Sequence, residues 1–264
     1  MSYRDKNYET MKLEFDGSIA IVYFDRPEAM NAANILMSHE RLEIYTGLSE
    51  DTKVRVVIIT GNEKAYCAGG DLASFAKFDS REAMEFAKRG MEYQKVLMNM
   101  PKPTIAAVAG VAYGGGMENI LLCDLRIAAD NARLALPEIN VGIFPGGGGT
   151  QRIVQNIPIC KAKEMIYMGK PIDAAEALEL GLVNKVVPLK NLMASAIEWA
   201  KILCNKPPVA LKAAKHAINC AWDTDIYTGM ELEIKAWANL YDTQDKKEGM
   251  QAFLEKRKPV FKGF

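Results

Sequence analysis

The segment Gly110-Val-Ala-Tyr-Gly-Gly-Gly-Met-Glu118 holds the residues whose types and spacing could do chemistry. It follows the β-branched run Thr104 to Val108 and precedes the apolar Ile120-Leu-Leu, so the implied order is strand, glycine turn, helix. Three successive glycines let the backbone approach a ligand closely. The helix that follows aims free N–H groups and the positive end of its dipole at the same spot, so negative charge is favoured there. A tight turn packed against a neighbour is the competing reading of the glycines taken alone. The segment is no nucleotide fingerprint: it lacks the lysine of G-x-x-x-x-G-K-[ST], and its glycines miss the G-x-G-x-x-G register.

A second loop of this kind is Tyr66-Cys-Ala-Gly-Gly-Asp71, again just beyond an expected strand. Two strand-end loops offering small residues and bare N–H groups can converge on one oxygen, as an oxyanion hole requires. Glu118, in the first turn after the glycines, stays close to any group those donors bind. Glu138 follows Leu136-Pro137 and precedes the apolar, glycine-rich stretch Val141 to Gly149. Two carboxyl groups in a dry pocket have shifted proton affinities and can divide acid and base roles. An ordinary cap or salt bridge is the competing reading for either glutamate. His39 and His216 are far apart in the chain, without metal-ligand spacing.

The elements that must position these loops follow from the pattern. Met11 to Phe15 and Ser18 to Phe24 alternate around Asp16-Gly17 as a hairpin. Val54 to Thr60 and Thr104 to Val108 read as buried strands, with an amphipathic helix over Arg81 to Met98 between them. This β-helix-β rhythm predicts an α/β fold with a parallel sheet. Leu121 to Ala129 starts as helix and ends as strand, and Val183 to Val187 is a last short strand. Beyond about residue 190 the pattern is wholly helical, over Leu189 to Leu203, Val209 to Ala221, Asp225 to Tyr241 and Lys246 to Arg257. The expected division is a core over 1–190 and an all-helical C-terminal layer over 191–264.

Composition narrows the function classes. Lys plus Arg and Asp plus Glu both total 33, so no net field attracts a polyanion, and Lys256-Arg-Lys258 is too short for a nucleic-acid arm. No run approaches the roughly 18 apolar residues of a membrane span. Five cysteines without a C-x-x-C pair suit a reducing compartment, and the expected location is cytoplasmic.

Taken together, these segments resemble the crotonase (enoyl-CoA hydratase/isomerase) family, from the hairpin at Met11 to the C-terminal Phe253-Leu-Glu-Lys-Arg-Lys-Pro-Val-Phe. The resemblance implies a crotonase-like ββα superhelix, a spiral of parallel strands and helices. Its implied activity is reversible hydration of 2-enoyl-CoA to 3-hydroxyacyl-CoA, as in fatty acid metabolism, with Glu118 and Glu138 catalytic and no cofactor besides the substrate's CoA. Its oxyanion pattern is similar to Ala68-Gly69-Gly70-Asp71 and Gly114-Gly115-Gly116, which places the N–H groups of Ala68 and Gly115 in the hole. For CoA it implies Arg26, Ala29, Met30, Gly69, Gly70, Asp71, Gly114 and Gly146, with Phe253 and Lys256 reaching a neighbouring subunit's CoA. The implied assembly is a homotrimer or a hexamer built as a dimer of trimers, with no nucleic-acid or membrane partner. Leu136 and Asn119 depart from residues common in short-chain hydratases and leave the acyl group open. Alternatives are an enoyl-CoA isomerase, a dehydratase of a cyclic, branched or carnitinyl thioester, and a non-enzymatic nucleic-acid-binding homologue.

Overall fold

The computed structural model describes residues 2–264. Strands β1 (Met11–Asp16) and β2 (Ile19–Phe24) form the antiparallel hairpin, joined through Gly17 at φ +58°. Helix α1 (Ile35–Glu50), capped by the Asn34 side chain on the Met37 N–H, leads into β3 (Val56–Thr60) and the short β4 (Ala65–Cys67). A four-residue helix α2 (Leu72–Phe75) and the long α3 (Ser80–Met98) follow. Asp79 and Glu82 start α3 with a reciprocal capping box, satisfying two backbone donors that the helix end leaves orphaned.

The same step then repeats. Strands β5 (Thr104–Val108) and β6 (Val111–Tyr113) lead to α4 (Gly115–Ile120). Strands β7 (Leu125–Ala129) and β8 (Arg133–Ala135) lead, through a 3-10 turn at Glu138–Val141, to α5 (Gly149–Asn156) and α6 (Ile159–Met168). In each turn the first strand joins a six-stranded sheet, β1-β2-β3-β5-β7-β10, and the second joins a four-stranded sheet, β4-β6-β8-β9. Successive turns stack as a ββα spiral, parallel from β2 onward in the large sheet. The short strand β9 (Ile172–Asp173), helix α7 (Ala174–Glu179) and strand β10 (Lys185–Val187) close the two sheets.

Side chains alternate across the large sheet and build two apolar layers. Val57, Ile59, Ala106 and Val108 face the layer shared with α1, α3 and the small sheet. Val56, Ile58, Ile105 and Ala107 face the layer covered by α8 (Leu192–Cys204), through Leu192, Ala196 and Ala200. With both faces buried, the strands carry unbroken apolar runs such as Val56-Val-Ile-Ile. Helix α8, inside the region expected to be a separate C-terminal layer, is therefore part of the core. Helices α9 (Pro208–Cys220), α10 (Ile226–Asn239) and α11 (Gln244–Leu254) lie outside it. On α9 and α10, Ile218, Ile226, Tyr227, Met230, Ile234 and Trp237 are all exposed.

Candidate active site

Two loops meet because neither carries side chains where they touch. Gly114 takes φ +48° and ψ −119°, a conformation that suits glycine, and its N–H donates to the Ala135 carbonyl at 2.9 Å. Gly69 sits at φ +109°, where an added Cβ would stand 3.0 Å from the Tyr113 carbonyl oxygen and 3.7 Å from the Gly115 nitrogen. Gly116 abuts the Cys67 carbonyl so closely that no Cβ fits. The β4 end and the start of α4 are thus packed backbone against backbone.

This packing decides which amides are free. The Ala68 N–H donates to the Met30 carbonyl at 3.0 Å, so it is already used. The expectation that Ala68 supplies an oxyanion donor is corrected by that bond. Gly70 forms a parallel bridge with Ala33, in which the Ala33 N–H donates to Gly69 and the Asp71 N–H donates to Ala33. In a parallel bridge the flanking residues make the bonds, so the Gly70 N–H points the other way. It points toward Gly115, whose own N–H is the first of α4 and has no partner within the helix. A Cβ built on Gly115 would lie 3.9 Å from the Gly70 nitrogen. Gly70 and Gly115 are therefore the adjacent free donors.

Both glutamates open onto the cavity beside these donors. It has a volume of about 500 Å³, and its walls include Gly70, Gly115, Glu118, Glu138 and Gly146. Glu118 lies one turn into α4 and is buried; its Oε1 accepts the N–H groups of Gly147 and Gly149 at 2.8 Å each. Burial pushes the Glu118 carboxyl above the ordinary carboxylate range, and the two amides pull it back by favouring the charged form. Arg152 holds the donating loop, bonding the Gly147 carbonyl at 2.9 Å and Gln94 Oε1 at 3.0 Å. Glu138 opens the 3-10 turn, with its Oε1 beside Gly114 and its Oε2 buried without a hydrogen-bond partner. Burial pushes Glu138 up to about 7, with a smaller contribution from the charge of Glu118. One carboxyl is clamped by two amides that favour its charged form, and the other keeps its proton to near neutrality.

Most of the remaining wall is apolar, with Ser38, Arg41, Tyr93 and Gln94 as its polar side chains. Phe75, Phe78 and Phe86 from α2, α3 and their junction pack together, with centroid separations of 4.8–5.8 Å. They line the cavity with Val141, Ile143 and Phe144. Such a surface suits an acyl chain rather than a sugar or a base.

The family described as enoyl-CoA hydratase/isomerase matches residues 14–263. This chain belongs to that family. The crotonyl-CoA hydratase of Syntrophomonas wolfei is 41% identical over 255 residues, covering 96% of this chain and 98% of that protein. The short-chain-enoyl-CoA hydratase of Clostridium acetobutylicum is 41% identical, covering 93% and 95%. Among solved structures, an enoyl-CoA hydratase from Bacillus anthracis superposes with a TM-score of 0.93 at 38% identity, covering 97% of this chain and 100% of that one. The crotonase-like spiral implied by the resemblance is thus the fold of an enoyl-CoA hydratase/isomerase family member.

Other expected positions separate into near and far. Arg26 bonds the Ala32 carbonyl at 2.7 Å and Asp71 at 3.2 Å, tying the turn that contains Ala29 and Met30 to the Gly69–Asp71 loop. Phe253 is 82% exposed, and Lys256 is exposed too; neither lines the cavity of its own chain. Asn119 and Leu136 do not line it either: both are buried, and Asn119 Oδ1 accepts the Tyr66 hydroxyl at 2.6 Å. Their departure from the family pattern therefore leaves the acyl wall untouched. The residues that do form that wall, Arg41 and Tyr93 among them, belong to no motif in the sequence. A cation at position 41, on the helical stripe of Met37, Ile44, Tyr45 and Leu48, was the available signal.

Proposed function

We propose that this enzyme, a hydro-lyase of the enoyl-CoA hydratase type, adds water reversibly across the 2,3 double bond of a 2-enoyl-CoA thioester. The observation that supports this best is the pairing of a clamped Glu118 with a raised, unpartnered Glu138 on one cavity, beside the free amides of Gly70 and Gly115.

The steps follow from that placement. Glu118 takes a proton from a water as its oxygen bonds to C3. The electron pair of the double bond shifts through C2 onto the thioester oxygen, which the N–H groups of Gly70 and Gly115 receive. Glu138 delivers its proton to C2 as the enolate collapses. Dehydration runs the same path backwards. Preorganised amides contribute because they need no reorientation as charge develops, and one such donor is worth about 10²–10³ in rate. The two carboxyls and two amides carry every proton and charge, so the chemistry calls for no metal or redox cofactor.

CoA enters, on this reading, past Arg26, Ala29 and Met30 and along Gly69 to Asp71, Gly114 and Gly146. The assembly is a homotrimer or a dimer of trimers, supported by the exposed apolar residues of α9 and α10 and by Phe253 and Lys256 standing free of their own cavity. Sedimentation of the purified protein tests it. A cytoplasmic location is supported by five unpaired cysteines, and no helix among the described residues is long and apolar enough to cross a membrane.

The test of activity is direct. Crotonyl-CoA mixed with the purified protein loses its conjugated ultraviolet absorbance as water adds. Absence of turnover across short, branched and cyclic enoyl-CoAs overturns the proposal.

A further inference from the structure

One residue of the cavity wall has no part in the chemistry above and sits there at a high electrostatic cost. Arg41, on α1, is 1% exposed and lines the cavity together with Ser38 and Tyr93. Its guanidinium lies over the rings of Phe24 and Tyr93, with centroids 4.5 and 5.3 Å away. Nη1 donates to the Tyr93 hydroxyl at 3.2 Å, Nη2 reaches Met37 Sδ at 3.2 Å and Cys67 Sγ at 3.9 Å, and Nε is buried with no acceptor. None of these partners is a carboxylate. The adjacent Glu40 is committed elsewhere, accepting the Glu9 and Thr10 N–H groups at 2.8 and 2.9 Å.

Burying a guanidinium without an anion is among the most costly placements a fold can make, whereas Leu or Met would fill the same apolar stripe at no such cost. The charge is satisfied when a ligand brings the anion. Of an acyl-CoA, only the acyl group and the pantetheine arm are slender enough to reach a fully buried side chain, and the pantetheine carries no anion, which leaves the acyl group. The methylenes of that group are accommodated by Phe75, Phe78 and Phe86, and a planar carboxylate matches the two-pronged donor face of a guanidinium.

We propose that Arg41 is the specificity-determining residue of the acyl pocket, and that the preferred thioester carries a carboxylate at the distal end of its acyl chain. This rests on the hydratase reading and names the substrate class of the same site. The reaction class that supplies such a substrate is then desaturation of a dicarboxylic acid monothioester or dehydration of its 2-hydroxy derivative.

The test compares 4-carboxybut-2-enoyl-CoA with 5-methylhex-2-enoyl-CoA, which has the same branching and no charge, in hydration by the wild-type enzyme. The expected result is a kcat/KM at least about tenfold higher for the carboxylate, carried mainly by KM. Arg41→Leu brings the ratio to one or inverts it, and Arg41→Lys keeps part of the preference. Equal or reversed preference in the wild type overturns the assignment without recourse to any variant. So does 5-hydroxypent-2-enoyl-CoA outperforming the carboxylate, which would make Arg41 a donor to a neutral oxygen. Calorimetry with the saturated thioesters 4-carboxybutanoyl-CoA and 5-methylhexanoyl-CoA separates the two claims. Arg41-dependent preference for the first, with no hydration of any enoyl-CoA, overturns the hydratase reading alone. Hydration without any preference overturns the Arg41 assignment alone.

Discussion

The Gly149 N–H, the first of helix α5, donates to Glu118 Oε1 at 2.8 Å, so the start of one helix fixes a carboxyl carried by another. The Gly147 N–H adds a second bond of the same length to the same oxygen. With Oε1 so occupied, Oε2 is the oxygen left to work on water. The wall around it is built from glycines, because the carboxyl fills the space a side chain would take.

Gly147→Ala follows from that crowding. A Cβ at 147 would collide with Glu118 Oε2 and come within 3.3 Å of Gln94 Nε2. The carboxyl must turn away, so kcat should fall by about 10² while the melting temperature moves by only a few degrees, since the site is at the cavity edge. Steady-state hydration beside a thermal melt checks this. Unchanged kcat would show that the Glu118 rotamer is not critical.

Gly115→Ala separates the amide pocket from the fold. The added methyl meets Gly69 and Gly70 at 3.9 Å, an ordinary contact, and at this backbone position alanine restricts the unfolded chain more than glycine, which favours folding by about 0.4–1 kcal/mol. The protein should fold at least as well as wild type. The methyl occupies the space between the two free N–H groups, and kcat/KM should drop by about 10²–10³. A variant of full activity would place the thioester oxygen elsewhere.

Glu118→Gln and Glu138→Gln each remove one proton carrier and leave the shape. Both should lose about 10²–10⁴ in hydration rate. If only one does, and the active variant still moves a double bond between the 2 and 3 positions, the chemistry is isomerisation by a single shuttling carboxyl.

Much of this architecture was legible because both faces of the large sheet are buried. The hairpin at Met11–Phe24, the run Thr104–Val108 and the amphipathic α3 each carry a strong local signal. Helix α1 carries almost none, since its buried side includes Ser38, Glu40 and Arg41 among its apolar residues. The three-residue strands β4, β6 and β8 are too short for periodicity to register, and they form only because the spiral stacks them. Glu118 and Glu138 were legible from their glycine-rich surroundings. The donor at Gly70 was not, because a one-residue bridge to Ala33 decides which amide of the loop is free.

Burial of Glu138 makes its proton affinity a measurable quantity in two ways. With the carboxyl pushed up to about 7, the proton it must deliver to C2 is present below neutrality and lost above it. Hydration kcat/KM should therefore fall above pH 7 along a single-proton limb. The stability effect has a definite sign. A carboxyl whose folded value is raised favours the protonated folded state, so its contribution is complete below the unfolded carboxylate value of about 4.3 and is lost as pH climbs through about 7. Glu138→Gln never acquires that buried charge. Its melting temperature should match wild type near pH 4 and exceed it at pH 8, with the gap opening between about pH 4 and 7 and level above that. A gap that stays constant over that range would mean that Glu138 is solvated with an ordinary proton affinity, and its role as proton donor would fall.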